Sequence, residues 1–139
     1  HREEGGTPAI GEAIGYAAAV RWLDELGLEA VHAAEAELTA YALDRIAEVP
    51  GLTVFGPPAG DDRGGIISFS IEGVHAHDVS EILDRHGVAV RAGHHCAQPL
   101  MERLGVPATT RASLAVYNTP AEVDRLIDGL LDVRRVFEL

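Results

Sequence analysis

Apolar residues early in the chain recur every three or four positions, whereas from about residue 52 onward they alternate with small polar ones. The pattern predicts two helices followed by short strands interleaved with helices. Between Ala9 and Leu26, Ile10, Ile14, Ala17 and Val20 fall roughly on one side of a helix, and Gly11 and Gly15 leave room for close backbone approach. The expectation is a substantially buried element that Gly27 stops. From Glu29 to Val49, the residues Val31, Ala34, Leu38, Tyr41, Ala42, Ile46 and Val49 keep helical spacing with acidic residues opposite, until Pro50-Gly51 ends the run.

Leu52 to Phe55 reads as a short strand, followed by Gly56-Pro57-Pro58-Ala59-Gly60-Asp61-Asp62, a turn-rich connector without phosphate-cradling spacing. Ile67, Phe69 and Ile71 alternate with Ser68 and Ser70, which gives a strand with one apolar face. His75-Ala76-His77-Asp78 opens a helix that carries Val79, Ile82 and Leu83 and closes at Gly87. Val88 and Val90 form the next strand, which ends at Arg91. Gln98 to Leu104 is a short helix closed by Gly105. Thr109 to Val116 is a strand with Ala112, Leu114 and Val116 on one face and Arg111, Ser113 and Ala115 on the other. Thr119-Pro120-Ala121-Glu122 joins a capping box to proline at the first helical position, and the helix it starts carries Val123, Leu126, Ile127, Leu130 and Leu131. At the other end of the chain Thr7 is expected to cap a helix with Pro8 at its first position; a threonine and free amides there form a ready anion site. Short strands this closely linked cannot form an all-parallel sheet. The predicted fold is an α+β domain over residues 1–139, with helices covering one face of a small, mostly antiparallel sheet.

Composition narrows the class. With 139 residues, 47% of them apolar, and one cysteine, the chain can bury a core and is neither disordered nor a disulfide scaffold, which suits the reducing cytoplasm. It shows no signal-peptide pattern and no apolar run long enough to span a bilayer. A net charge of -11 argues against nucleic acid as a partner, since phosphate binding relies on clustered cations. Lysine is absent altogether.

The chemistry-bearing residues gather in one stretch: Arg91-Ala92-Gly93-His94-His95-Cys96-Ala97-Gln98-Pro99, then Arg111, then Tyr117-Asn118. A lone cysteine is commonly a small core residue. Here Gly93, two histidines and Pro99 mark a loop between a strand and a short helix, and the reactive thiolate form is favoured by positive charge close by. Cys96 is therefore a candidate nucleophile. Arg111 is the candidate for binding a carboxylate, because a guanidinium offers a two-point fork. Arg91 either assists or is a solvated strand-end residue, and His94 and His95 either tune the thiol or shuttle protons. Zinc is the rival chemistry, with His75 and His77 as further ligands. Adjacent His94-His95-Cys96 is not a structural-zinc spacing and no second cysteine exists, so no intrinsic metal site is expected. A stand-alone thiol- or metal-binding interaction domain is the non-enzymatic alternative.

The run Val90-Arg91-Ala92-Gly93-His94-His95-Cys96-Ala97-Gln98-Pro99-Leu100-Met101, followed by Arg111-Ala112-Ser113-Leu114 and Tyr117-Asn118-Thr119, closely resembles the C-terminal part of the SufS-type cysteine desulfurases. These are pyridoxal-phosphate enzymes of the class V aminotransferase group. Gly6-Thr7-Pro8 and Glu72-Gly73-Val74-His75-Ala76-His77-Asp78 fit the same family in the same order. Where the family commonly has an aromatic residue shortly before Gly-Thr-Pro, this chain has Glu3-Glu4-Gly5. The resemblance implies the C-terminal small domain of a fold-type I pyridoxal-phosphate enzyme, with the cofactor held mainly by a preceding large domain. Because an enzyme lysine carries that cofactor, this chain alone is expected to be inactive. By the same resemblance, Cys96 takes sulfur from L-cysteine, L-alanine is released, and the Cys96 persulfide passes its sulfur to a SufU- or SufE-type acceptor for iron-sulfur cluster assembly. Arg111 would hold the substrate carboxylate, with Arg91, His94 and His95 as further substrate-binding residues. Thr7 would reach the cofactor phosphate of the other subunit in a homodimer. His77 matches a histidine that exchanges with a zinc ligand of a SufU-type acceptor. Selenocysteine lyase is the neighbouring activity on the same fold.

Overall fold

The protein is described by a computed structural model over residues 2–3, 5–60 and 63–139. Glu4 of the N-terminal lead-in and Asp61-Asp62 of the turn-rich connector lie outside the described residues. The elements run α1 (Ile10–Leu26), α2 (Leu28–Ala47), β1 (Leu52–Phe55), β2 (Ile66–Ile71), α3 (Ala76–Arg85), β3 (Arg91–Gly93), α4 (Gln98–Leu104), β4 (Thr109–Ser113) and α5 (Pro120–Val136). The chain divides into two compact units, His1–Ala33 and Ala34–Leu139.

In the first unit α1 departs from its expected burial. None of its residues is buried, and Ile10, Ile14, Tyr16, Val20 and Trp22 are exposed. Helical spacing establishes that a face is apolar, not that this chain holds a partner for it. Gly27, at φ +83, ends the helix as expected, and its N–H reaches Leu23 O at 3.0 Å. Thr7, however, does not cap. Ala9 is the N-cap residue, no side chain caps the first turn, and the Ile10 N–H turns back to Pro8 O at 2.8 Å. That turn puts the helix start beyond Pro8, so Thr7 stands ahead of the cap and is exposed.

In the second unit the four strands form one sheet in the order β1-β2-β4-β3, and every neighbouring pair is antiparallel. β3 therefore runs parallel to β2 with β4 between them, a split arrangement in which α3 makes the crossover. Alternation decides the faces. Ile67, Phe69 and Ile71 of β2 and Ala112 of β4 are buried with Leu38, Ala42 and Ile46 of α2, with Val79, Ile82 and Leu83 of α3, and with Val123, Leu126, Leu130 and Val133 of α5. Burying a side chain of this size contributes about 1.5–3 kcal/mol, so the apolar stripe fixes which face turns inward. Gly129 lets α5 close on α3: a Cβ there would stand 2.6 Å from Leu83 Cδ2. α5 begins as expected, with the Glu122 carboxylate accepting from the Thr119 N–H at 2.8 Å. The Tyr41 hydroxyl donates to Asp124 at 2.7 Å and ties α2 to α5.

Two strand boundaries differ from the pattern. Val88 to Val90 is not a strand, because the Val88 N–H is bonded to Leu83 O at 3.0 Å in closing α3. Pairing starts at Arg91, which opens β3 rather than ending a strand before it. β4 stops at Ser113, since the Ala115 N–H goes to Asn118 Oδ1 at 2.8 Å and the chain turns. Leu114 is held by its N–H on Gly65 O at 2.6 Å, an approach that only glycine permits, as a Cβ at 65 would lie 2.6 Å from Leu114 O. α2 ends at Ala47 rather than Val49, whose N–H bonds to Ile46 O in a tighter last turn.

Candidate active site

The sheet face turned away from α2, α3 and α5 carries the polar half of the alternation. Register sets Phe55 opposite Ser68, Ser68 opposite Arg111, and Arg111 opposite Arg91. Directly opposed residues share a face with Cβ atoms about 4.5–5.5 Å apart, and like charges so placed are destabilising. The two arginines thus form a cationic pair, built by register, that an anion would relieve.

Gly93, at φ +123, leads from β3 into a turn whose Ala97 N–H donates to His94 O at 2.9 Å. Both central residues have left-handed backbone, with φ +56 at His95 and +60 at Cys96. Each such residue costs about 1–3 kcal/mol and persists only where its surroundings over-determine it. Cys96 is exposed, and Arg91 Nη2 donates to its Sγ at 3.5 Å. His95 Nε2 lies 2.9 Å from Thr109 Oγ1 and 3.1 Å from Thr109 O. Thr109 is wholly buried and shares the face of Arg111 by the two-residue period. Its hydroxyl is 3.9 Å from Met101 Sδ, so α4 lies over the start of β4.

Burial, and after it the Arg111 guanidinium, lowers the His95 pKa below the ordinary imidazole range, opposed by the hydrogen bond to the Thr109 backbone and reinforced by Arg91 and His94. His95 is therefore neutral at pH 7. A neutral ring facing a carbonyl oxygen carries its proton on Nε2. Nδ1 then holds a lone pair, buried and without a hydrogen-bond partner among the described residues.

A cavity of about 460 Å³ opens along this face, with His95 and Arg111 in its lining beside Phe55, Pro57, Leu100 and Leu104. Arg111 Nε has no hydrogen-bond partner among the described residues. The lining suits a small ligand with an anionic end and an apolar body; Cys96 is not part of it, although its neighbours His95 and Ala97 are. Arg63, which the sequence pattern did not single out, braces the cavity wall. It is 6% exposed and donates to the carbonyls of Pro57, Phe55 (3.4 Å) and Ile66 (3.3 Å), and burial lowers its pKa. Thr109 was also passed over. Its position two residues before Arg111 on one strand face was the available signal.

Cys96, Arg91, Arg111 and His95 are thus brought together, and His94 is exposed beside them. His77 is not. It is exposed at the start of α3, where Ala76 O accepts from the Thr110 hydroxyl at 3.3 Å on the sheet face opposite Arg111; its ring lies 5.1 Å from that of His75. Thr7 belongs to the first unit. Among the described residues no group of three His, Cys, Asp or Glu side chains is placed to hold a metal ion, and no helix is long and apolar enough to cross a membrane.

The chain belongs to the aminotransferase class-V family, which it matches over residues 1–126. The relatives within that family carry a more specific name. The chain is 52% identical over 134 residues to the cysteine desulfurase of Haloferax volcanii, covering 96% of this chain and 31% of that one. It is 49% identical over 137 residues to a probable cysteine desulfurase of Streptomyces coelicolor, covering 99% and 33%. The apo structure of the cysteine desulfurase from Thermococcus onnurineus matches with a TM-score of 0.87 at 39% identity, over 99% of this chain and 34% of that one. The α+β architecture expected from the sequence is therefore that of part of a fold-type I cysteine desulfurase structure. The chain spans about a third of the length of the relatives it matches.

Proposed function

We propose that this chain is the C-terminal domain of a pyridoxal-phosphate-dependent cysteine desulfurase, and that it supplies the nucleophile and the clamp for the substrate carboxylate. The observation that carries the reading is the cross-strand Arg91–Arg111 pair with Cys96 Sγ 3.5 Å from Arg91. L-cysteine brings the two groups such a site needs, a carboxylate for the guanidinium of Arg111 and a sulfur for attack by Cys96.

This chain does not hold the cofactor alone. It has no lysine to carry it, and Thr7, which we assign to the cofactor phosphate of the other subunit in a homodimer, is an exposed hydroxyl. The remainder of the longer protein holds the cofactor, which when bound supplies an electron sink that weakens the Cβ–S bond of cysteine. The Cys96 thiolate forms a bond to the substrate sulfur as that Cβ–S bond breaks. The electron pair stays with carbon, which gains a proton and leaves as L-alanine, and the sulfur remains on Cys96 as a persulfide. The exchange needs no outside oxidant or reductant. Exposure of Cys96 suits onward transfer in the cytoplasm to a SufU- or SufE-type acceptor for iron-sulfur cluster assembly, and His77 is the residue we assign to a zinc-bearing acceptor.

In the full-length protein, Cys96→Ala is expected to bind L-cysteine yet release alanine at under about a hundredth of the parent rate and carry no persulfide. Turnover at the parent rate removes Cys96 as the nucleophile. Titrating a zinc-loaded acceptor against His77→Ala tests the acceptor contact separately, since equal binding and equal activation exclude it.

A further inference from the structure

Two consecutive residues that are neither glycine nor asparagine do not choose a left-handed turn by themselves. The Ala97 N–H to His94 O bond at 2.9 Å closes the turn but does not select its hand, because turns of ordinary hand make the same bond. Of the two central residues, Cys96 is exposed and touches a likewise exposed Arg91, while His95 alone is anchored to a buried group. Its ring meets Thr109 only when its side chain projects toward the start of β4, and reversing φ at His95 would turn it away. Nε2 is engaged at 2.9 and 3.1 Å and Nδ1 is buried, so neither ring nitrogen is open to substrate or solvent.

We propose that His95 is a positioning residue for the thiol, neither a substrate ligand nor a proton shuttle: clamped to Thr109, it holds the His94–Ala97 turn in the left-handed form that sets Cys96 against Arg91. The inference rests on Cys96 being the nucleophile and adds how that nucleophile is aimed. It also separates the adjacent histidines, leaving exposed His94 as the one whose ring can reach solvent.

The experiment uses the full-length, cofactor-loaded enzyme and reads three quantities: the iodoacetamide alkylation rate of the Cys96 peptide at fixed pH, kcat for alanine release, and KM for L-cysteine. His95→Phe should slow alkylation and kcat by about tenfold, as a misplaced reacting group does, with KM within about twofold because Arg111 is untouched. His95→Gln puts an amide donor where Nε2 was and should recover both rates to within about threefold of the parent. Thr109→Val keeps the carbonyl but loses the hydroxyl, and should slow both by about threefold. Parent rates in His95→Phe overturn the proposal, as does His95→Gln being as slow as His95→Phe, which would mean the imidazole itself does the chemistry. Should His95→Phe not fold, Thr109→Val decides, and parent rates there overturn it. Failure of the nucleophile reading looks different: Cys96→Ala would then release alanine at the parent rate whatever the His95 variants do.

Discussion

Arg111 sits opposite both Ser68 and Arg91 in the sheet register and lines the cavity, where its guanidinium is placed to meet a carboxylate. Arg111→Lys keeps the charge and loses the fork. It should raise KM for L-cysteine by roughly 10- to 100-fold, the range expected for a charged hydrogen-bonded contact, with a smaller change in kcat; steady-state kinetics on the full-length enzyme would read it, and an unchanged KM would remove the clamp. His95 makes a prediction about pH. Folding lowers its pKa, mainly through burial, from an unfolded value near 6.5. As pH falls past about 6.5 the unfolded chain binds a proton that the folded chain refuses, so stability should decline toward acid and be unaffected by this group above that window. Thermal melts between about pH 7.5 and 5 would show it, and His95→Gln should flatten that part of the curve. The proposed nucleophile and the proposed carboxylate clamp could be picked from the sequence because each carries its chemistry in its residue type, and period two puts Arg111 on the polar face. For Thr109 only the strand face shared with Arg111 is legible, not its partner. That partner is a ring arriving from 14 residues away, which no local pattern encodes.

α5 carries three carboxylates whose pKa values lie below the usual range, Glu122 capping its own helix and Asp124 and Asp132 reaching α2 and the end of α3. The Thr119 N–H is the leading cause for Glu122, the Tyr41 hydroxyl for Asp124 and the His86 ring for Asp132. Their contribution is fully present above the unfolded carboxylate values near 4, and is lost as pH falls through the lower folded values. Denaturant titrations on either side of pH 4 should show this acid loss, and Tyr41→Phe should make it shallower; an equal loss in both would discount the Tyr41–Asp124 bond. Gly129→Ala gains up to about 1 kcal/mol in helix propensity but overpacks Leu83, which typically costs about 1–3 kcal/mol, so a net destabilisation of up to about 2 kcal/mol is expected in urea titrations with unchanged m. Elements with internal pattern were readable: the alternation of β2, the spacing of α2 from Leu38 onward and the Thr-Pro-Ala-Glu start of α5 hold, whereas Ala34 of α2 is exposed. What failed were decisions made by competing hydrogen bonds. Val88 is bonded to the end of α3 and Ala115 to Asn118, so β3 starts later and β4 stops earlier than the apolar runs suggest. The burial expected for α1 is not met, because burial depends on a partner surface that spacing does not describe.

The whole chain is acidic, with a net charge of -11, yet its open sheet face concentrates Arg91 and Arg111 beside a thiol. Global charge therefore says little about this site, where backbone register sets the local field. The chain spans about a third of the length of its relatives, so the proposed chemistry is tested on the full-length enzyme, with Cys96 as the proposed sulfur-accepting group. Peptide mapping by mass spectrometry after a single turnover of the cofactor-loaded, full-length enzyme with L-cysteine reads that contribution at the atom concerned. The peptide containing Cys96 should gain the mass of one sulfur atom, removable by a thiol reductant, in step with the alanine released. Alanine formed while that peptide keeps its original mass, or sulfur found on another residue, would contradict the assignment.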